Sequence, residues 1–322
     1  MLYLNEADIN AMGVNWEEQV HHIEGAIACM RDRDFVQPVK PYLRFGDKSN
    51  RIIAMPAYLG GDYHIAGIKW IASFPSNIQE SIPRAHSVVI LNEANTGRPV
   101  GIINTALLSM IRTASVSGFM LRQYDRARPL QGAKVGIIGF GPIGQYHLRM
   151  CAELIGDRVS EIAIYDIKGI AQADIPEAYR DKVRIVDSWQ AAYDNADVFI
   201  TCTVSKEPYV DRSPKQGSLQ LNVSLRDYTT AIYDDVKGGI VVDDWDEVCR
   251  EKTDIEMLHL HKGLKKEDTL SIADLLDAGV LAALPAQQTI MFNPMGMAIF
   301  DMAVGAVYLR QALLSETGQQ LA

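Results

Sequence analysis

A lysine in the middle of an apolar β-strand is the residue in this chain whose chemistry most needs a reason. In HIAGIKWIAS, residues 64–73, Ile65, Gly67, Lys69 and Ile71 share one face at the strand period of two, and Ala66, Ile68, Trp70 and Ala72 share the other. An ammonium buried without a partner is costly or sheds its proton. Lys69 therefore belongs either at an exposed edge, where lysines deter aggregation, or in a polar cavity. Two arginines stand in similarly apolar company: Arg44 ends VKPYLR, and Arg112 sits inside LLSMIRTAS. Guanidinium groups suit bidentate binding of carboxylates. Three converging cations would suit an amino acid or a polycarboxylate, while each alone could equally be a snorkelling or salt-bridged side chain.

A second constellation lies further along. KVGIIGFGPIG places Gly139, Gly141 and Gly144 in G-x-G-x-x-G spacing, directly after a strand pattern and before a helical one. Gly139 permits the tight turn, Gly141 lets the backbone approach a pyrophosphate, and Gly144 allows the helix to pack closely on the strand. The helix start, at Pro142 and Ile143, then presents backbone amides to phosphate. Asp166 closes the next strand, about twenty residues on, where a carboxylate accepts from a ribose diol and repels a 2′-phosphate. NAD is expected over NADP, with Lys168 nearby pulling the other way. Asp227, in LNVSLRDY, follows an apolar strand of the same half. It is either a proton shuttle at the ligand-facing end of the sheet or a helix N-cap ahead of YTTAIYDD.

These residues need elements to hold them, and the chain has two grammars. A helix near 16–31 opens at Asn15, with Glu18 three residues on. Its tandem His21 and His22 read as a solvated face. Residues 50–106 then hold short strand runs, RIIAMPAYLG, HIAGIKWIAS, HSVVILNE and GRPVGIINTA, separated by Gly, Pro and Asn turns, as in an antiparallel or mixed sheet. A helical spacing from about 106 to 123 connects the halves. Beyond it, AKVGIIGF, EIAIYDI, KVRIVDS, DVFITCTV, SLQLNVSL and GIVVDDW read as parallel strands covered on both faces. Alternating strands and helices imply right-handed crossovers and a doubly wound sheet. After a loop at FNP the chain returns to helix in GMAIFDMAVGAVYLRQALL, which is expected to pack back on the first half.

At 322 residues the chain is long enough for two cores. A net charge of −9 excludes a general nucleic-acid binder, but not a small anion held by local cations. No run approaches a membrane span, and MLYLNEADIN lacks the pattern of a secretory leader, so a cytoplasmic protein is expected. Cys29, Cys151, Cys202 and Cys249 are scattered without a CxxC pair, so neither a metal site nor a disulfide framework is indicated.

Taken in order, GIKW, MIRTAS, the glycine fingerprint, NVSLRD and NPMGMAIFD resemble the ornithine cyclodeaminase and μ-crystallin family over nearly the whole chain. The strings DFVQPVKPYLR, RIIAMPAYLGG, GIKWI, VVILNE, VVDDW and NPMGMAI are most similar to a branch of that family in siderophore biosynthesis. That branch oxidises N-(1-amino-1-carboxy-2-ethyl)-L-glutamate with NAD, giving L-2,3-diaminopropionate and 2-oxoglutarate. The resemblance implies an α/β protein of two domains. Residues 1–112 with 291–322 form an α+β substrate-binding and dimerisation domain, and 113–290 form a Rossmann-type NAD-binding domain. It implies Lys69 and Asp227 as catalytic groups, and Arg44, Lys69 and Arg112 as substrate-binding groups. Thr113, Thr203 and Met297 join the glycine loop and Asp166 as cofactor contacts, and the assembly is a homodimer. Family alternatives are cyclodeamination of ornithine, ketimine reduction or alanine dehydrogenation, and NAD(P)H-dependent ligand binding without catalysis. Arg226, just before Asp227, departs from the expected uncharged residue. It either adds a contact to a substrate carboxylate or points to solvent.

Overall fold

The computed structural model describes residues 1–47 and 49–321. The chain divides into two units, Met1–Ser115 with Gly296–Ala322, and Val116–Met295.

The first unit opens with β1 (Leu2–Asn5), α1 (Glu6–Met12) and α2 (Trp16–Arg31). The α2 helix starts where Asn15 accepts the Glu18 N–H at 3.1 Å, and it buries Trp16, Val20, Ile23 and Ile27 at helical spacing. Of its tandem histidines, His21 is exposed and His22 is half-buried beside Tyr63. Then come β2 (Phe35–Val36), β3 (Tyr42–Leu43), β4 (Arg51–Leu59), β5 (Ile65–Ser73), β6 (Ala85–Glu93), β7 (Pro99–Asn104) and α3 (Leu107–Ala127), whose later turns belong to the second unit.

The second unit continues with β8 (Ala133–Ile138), α4 (Pro142–Ile155), β9 (Val159–Tyr165), β10 (Val183–Ile185), α5 (Trp189–Tyr193), β11 (Val198–Thr201) and β12 (Leu219–Asn222). Next are α6 (Tyr233–Val236), β13 (Ile240–Val242), α7 (Trp245–Val248), α8 (Asp254–Lys262), β14 (Leu270–Ser271), α9 (Gly279–Ala282) and β15 (Ile290–Asn293). All eight strands pair in parallel in the order β10-β9-β8-β11-β12-β15-β13-β14. The order reverses between β8 and β11. That is the switch point at which doubly wound sheets bind ligands, beyond the carboxyl ends of their strands. One reading from sequence is corrected: FNP is not all loop, because Phe292 and Asn293 end β15, a fully buried strand between β12 and β13. A four-residue strand, three apolar residues and Asn293 ahead of Pro294, carries too little periodicity to be told from a connection.

The first unit is completed by α10 (Ala298–Leu314) and β16 (Gln319–Gln320). Its sheet runs β16-β1-β7-β6-β5-β4-β2, with β3 also on β4; the strands from β4 to β7 form an antiparallel meander. The α10 helix is apolar on all sides and buried along most of its length, as a helix covered by protein must be. It packs on β4, β5, β6 and α2. A Cβ at Gly67 would sit 2.8 Å from Met302 Sδ, so the β5 face carrying Ile65, Gly67 and Lys69 is the one α10 covers. On the opposite face, register aligns Pro56, Ile68, Ile90, Ile102 and Tyr3 in one row across five strands, all partly exposed.

Candidate active site

Lys69 stands on an interior strand, opposite Met55 on β4 and Val89 on β6, which removes the edge reading. It is fully buried. Its Nζ donates to Asp301 Oδ1 at 2.9 Å and to Ser109 Oγ at 2.7 Å. Arg112, less than one turn beyond Ser109 on α3, donates from Nε to the same Oδ1 at 3.2 Å. One carboxylate oxygen therefore holds two cations, while Asp301 Oδ2 is buried with no hydrogen-bond partner among the described residues. Lys40 is buried as well, and donates to the Gly296 carbonyl at 2.7 Å. Gly296 has a φ of 86°, which favours glycine, and a Cβ there would lie 2.8 Å from Arg112 Nη1 and displace the guanidinium. Burial first, then the charge of Arg112, pushes the Lys69 amine down to about 7 against the pull of Asp301. An amine at that value changes protonation near neutral pH, as a general base or acid must.

Arg44 lies one residue beyond β3, exposed, with its guanidinium 5.2 Å from the centre of the Tyr42 ring. Thr113 donates its hydroxyl to the Ser109 carbonyl at 2.7 Å, back along its own helix. Met297 is buried at the N-cap of α10. The sequence reading missed Asp301, Ser109 and Lys40. A signal for Asp301 was present, since a carboxylate inside an otherwise apolar helix needs a buried partner of opposite charge.

In the second unit each fingerprint glycine has its own reason. Gly139 has a φ of 83°, and a Cβ there would lie 2.5 Å from the Cys202 backbone, at the end of β11. Gly144 brings α4 so close that a Cβ would strike the Gly139 carbonyl. Gly141, the N-cap of α4, has nothing within 4 Å of where its Cβ would be. That open approach, at a helix start whose first N–H groups lack intrahelical partners, fits a pyrophosphate. Pro142 takes the first helical position, where no N–H is needed, with Ile143 half-buried after it. Asp166 accepts the Phe140 N–H at 2.7 Å and the Lys168 N–H at 2.9 Å, so its carboxylate is fixed to the glycine loop. The next residue, Ile167, is an exposed apolar side chain. The residues present therefore fit a dinucleotide. Beneath the loop, His147 bonds Ser117 Oγ and the Ile143 carbonyl, and burial pushes it down to about 4, so it is neutral.

Asp227 is buried and accepts from Thr203 Oγ1 and Ser224 Oγ. Burial raises its carboxyl, and these hydroxyls oppose the rise. The N-cap reading fails, because the following helical turn is capped at Thr229. The half-exposed Arg226 donates from its guanidinium to the Glu251 carbonyl at 2.9 and 3.2 Å, tying two loops together. Close by, Asp254 accepts from Asn222 Nδ2 at 2.9 Å, and burial pushes it up to about 7. Among the described residues no cluster of His, Cys, Asp or Glu could hold a metal ion, and no helix is long and apolar enough to cross a membrane.

Comparison with known proteins agrees with this architecture. N-((2S)-2-amino-2-carboxyethyl)-L-glutamate dehydrogenase of Staphylococcus aureus (strain NCTC 8325 / PS 47) is 34% identical over 100% of this chain and 98% of its own. The structure of Thermococcus litoralis Δ1-pyrroline-2-carboxylate reductase, in complex with NADH and L-proline, superimposes with a TM-score of 0.86 at 20% identity, covering 100% of both chains. An archaeal alanine dehydrogenase dimer with bound NAD gives 0.80 at 21% identity, covering 100% of this chain and 99% of that one. The profile of the ornithine cyclodeaminase/mu-crystallin family matches residues 4–316. With the family's profile matched almost from end to end, this chain belongs to the ornithine cyclodeaminase/mu-crystallin family.

Proposed function

We propose that this chain is an NAD-dependent dehydrogenase that oxidises N-((2S)-2-amino-2-carboxyethyl)-L-glutamate to L-2,3-diaminopropionate and 2-oxoglutarate, in the cytoplasm, for siderophore or related natural-product assembly. The observation that carries the reading is the buried group in which Lys69 and Arg112 share one oxygen of Asp301. While Lys69 is protonated, two cations on one carboxylate leave one positive charge to offer, and the proposed substrate has three carboxylates. The 34%-identical relative names that substrate. Arg112 binds a substrate carboxylate, and Arg44 closes on a second one from its seat over Tyr42. The loop at Gly139, Gly141 and Gly144 and the carboxylate of Asp166 would hold NAD, which would supply hydride acceptance. Lys69, neutral in part near pH 7, takes the proton from the substrate nitrogen. Asp227, its carboxyl raised by burial, activates the water that splits the oxidised C–N bond.

The second copy belongs to the same proposal. The archaeal alanine dehydrogenase is a dimer, and the row from Pro56 to Tyr3 gives the sheet an apolar second face. Two such faces pack as sheets do in a sandwich.

The test incubates purified protein with NAD and the conjugate, and separately with NAD and ornithine. Equal amounts of NADH and 2-oxoglutarate from the conjugate are expected. Ammonia from ornithine without net NADH would replace this reading with cyclodeamination, and ligand binding without turnover would replace it with a carrier role. Lys69→Ala is expected to abolish turnover while NADH still binds.

A further inference from the structure

The turn that carries Asp227 is held in an unfavourable conformation. Leu225 is buried with a φ of 65°, a left-handed region that a non-glycine residue adopts only under constraint. Such a turn persists only if its surroundings determine it, and here one group of buried polar side chains does so. The Leu225 N–H donates to Asn222 Oδ1 at 3.1 Å, and the Leu225 carbonyl accepts the Asp254 N–H at 2.7 Å. The Asp254 carboxylate accepts from Asn222 Nδ2 at 2.9 Å and from the Tyr228 N–H at 3.4 Å. Asn222 also donates to Asn293 Oδ1 at 2.8 Å and accepts from Thr201 Oγ1 at 3.2 Å. The clamp therefore rests on the carboxyl ends of β11, β12 and β15. Both flanks of Asp227 are fixed: Leu225 before it and Tyr228 after it.

We propose that Asp254, paired with Asn222, is a positioning residue that holds the strained turn at Leu225 and so aims the Asp227 carboxylate at the reacting atoms. The inference rests on the assignment of Asp227 to the chemistry. The Asp254 carboxylate acts by accepting from the Tyr228 N–H and from Asn222 Nδ2, whose Oδ1 in turn holds the Leu225 N–H, and it touches no reactant. A carboxamide at this position keeps an acceptor oxygen of the same reach, whereas a methyl group keeps none. Loss of the clamp frees the turn to leave the left-handed region, which moves Asp227 off its aim while the glycine loop is untouched.

The experiment is a mutant cycle read by steady-state kinetics with NAD and the conjugate, and by NADH fluorescence titration. Asp254→Ala is expected to lower kcat at least tenfold, with KM and NADH affinity within about twofold of wild type. Asp254→Asn is expected to restore kcat to within about threefold. On an Asp227→Asn background, Asp254→Ala should cost nothing further, because the aimed group is gone. Asn222→Ser removes the clamp from its other side and gives the same pattern if the alanine variant does not fold. A kcat within twofold of wild type in Asp254→Ala, an undiminished loss on the Asp227→Asn background, or a parallel loss of NADH binding would overturn the proposal. Should Asp227→Asn itself keep at least half of wild-type turnover, the role of Asp227 falls. An inactive Asp227→Asn beside a fully active Asp254→Ala rejects the clamp alone.

Discussion

Replacing Asp301 by asparagine removes the negative charge on which Lys69 depends and leaves an oxygen of similar reach. At 2.9 Å and an effective dielectric constant of about 20, a full countercharge is worth about 6 kcal/mol to the ammonium, a ceiling that relaxation reduces. Opposite charges at such distances commonly move an ionisation by about one to three pH units. The carboxylate favours the protonated amine, so its loss favours the neutral one. Lys69, at about 7 with Asp301 present, is expected to titrate near about 5 in Asp301→Asn. The assay is kcat/KM for NADH formation as a function of pH, where the rising limb assigned to neutral Lys69 moves to lower pH by about two units. Stability changes in a linked way. The amine is lowered from its ordinary value, so between the folded and unfolded values the unfolded chain binds more protons, and stability rises with pH across that window. The window opens near pH 7 in the parent and near about 5 in the variant. Breaking a buried pair costs about 3 to 5 kcal/mol, and the ability of Lys69 to lose its proton moderates that cost. A pH profile for Asp301→Asn that superimposes on the parent would refute the assignment of that limb to Lys69.

Three further outcomes follow from the geometry. Gly144→Ala puts a methyl group into the Gly139 carbonyl and should cost about 1 to 3 kcal/mol in urea unfolding, with loss of NADH binding; unchanged stability would show that the loop relaxes freely. Asp166→Ala should weaken NADH about 10- to 100-fold by fluorescence titration, and unaltered affinity would remove the ribose contact. Ile90→Asp places a charge in the centre of the apolar row and should yield monomers in sedimentation, whereas an intact dimer would locate the interface elsewhere.

The parts of the site that lie close together in sequence were legible. The glycine spacing, the strand before it and Asp166 after it report on one another within a few dozen residues. Gly139 and Gly144 have the steric need their spacing predicts, and Gly141 leaves the loop open where a phosphate would approach. The strand of Lys69 was legible as a strand, but its place in the sheet was not. Whether β5 is an edge depends on β4 and β6 pairing with it, which alternation along β5 cannot report. Asp301 and Asp254 were passed over for a related reason, since each has its meaning only through a partner brought from elsewhere in the chain. Arg226 shows the converse: its charge suggested a ligand, and its hydrogen bonds go to the backbone at Glu251.

The distance along the chain from Lys69 to Asp301 also sets a timetable for biosynthesis. The two are separated by 232 positions, which takes roughly 10 to 50 s to translate. Throughout that interval the lysine-bearing sheet lacks both the counterion and the helix that will cover it, so its apolar side is open to chaperones and its cations are hydrated. A nascent chain halted before α10 is thus unable to assemble the cluster, however well its nucleotide-type fold has formed. Competence for chemistry arrives late, with the emergence of a single segment from the ribosome, and the same segment closes the hydrophobic layer of the first unit.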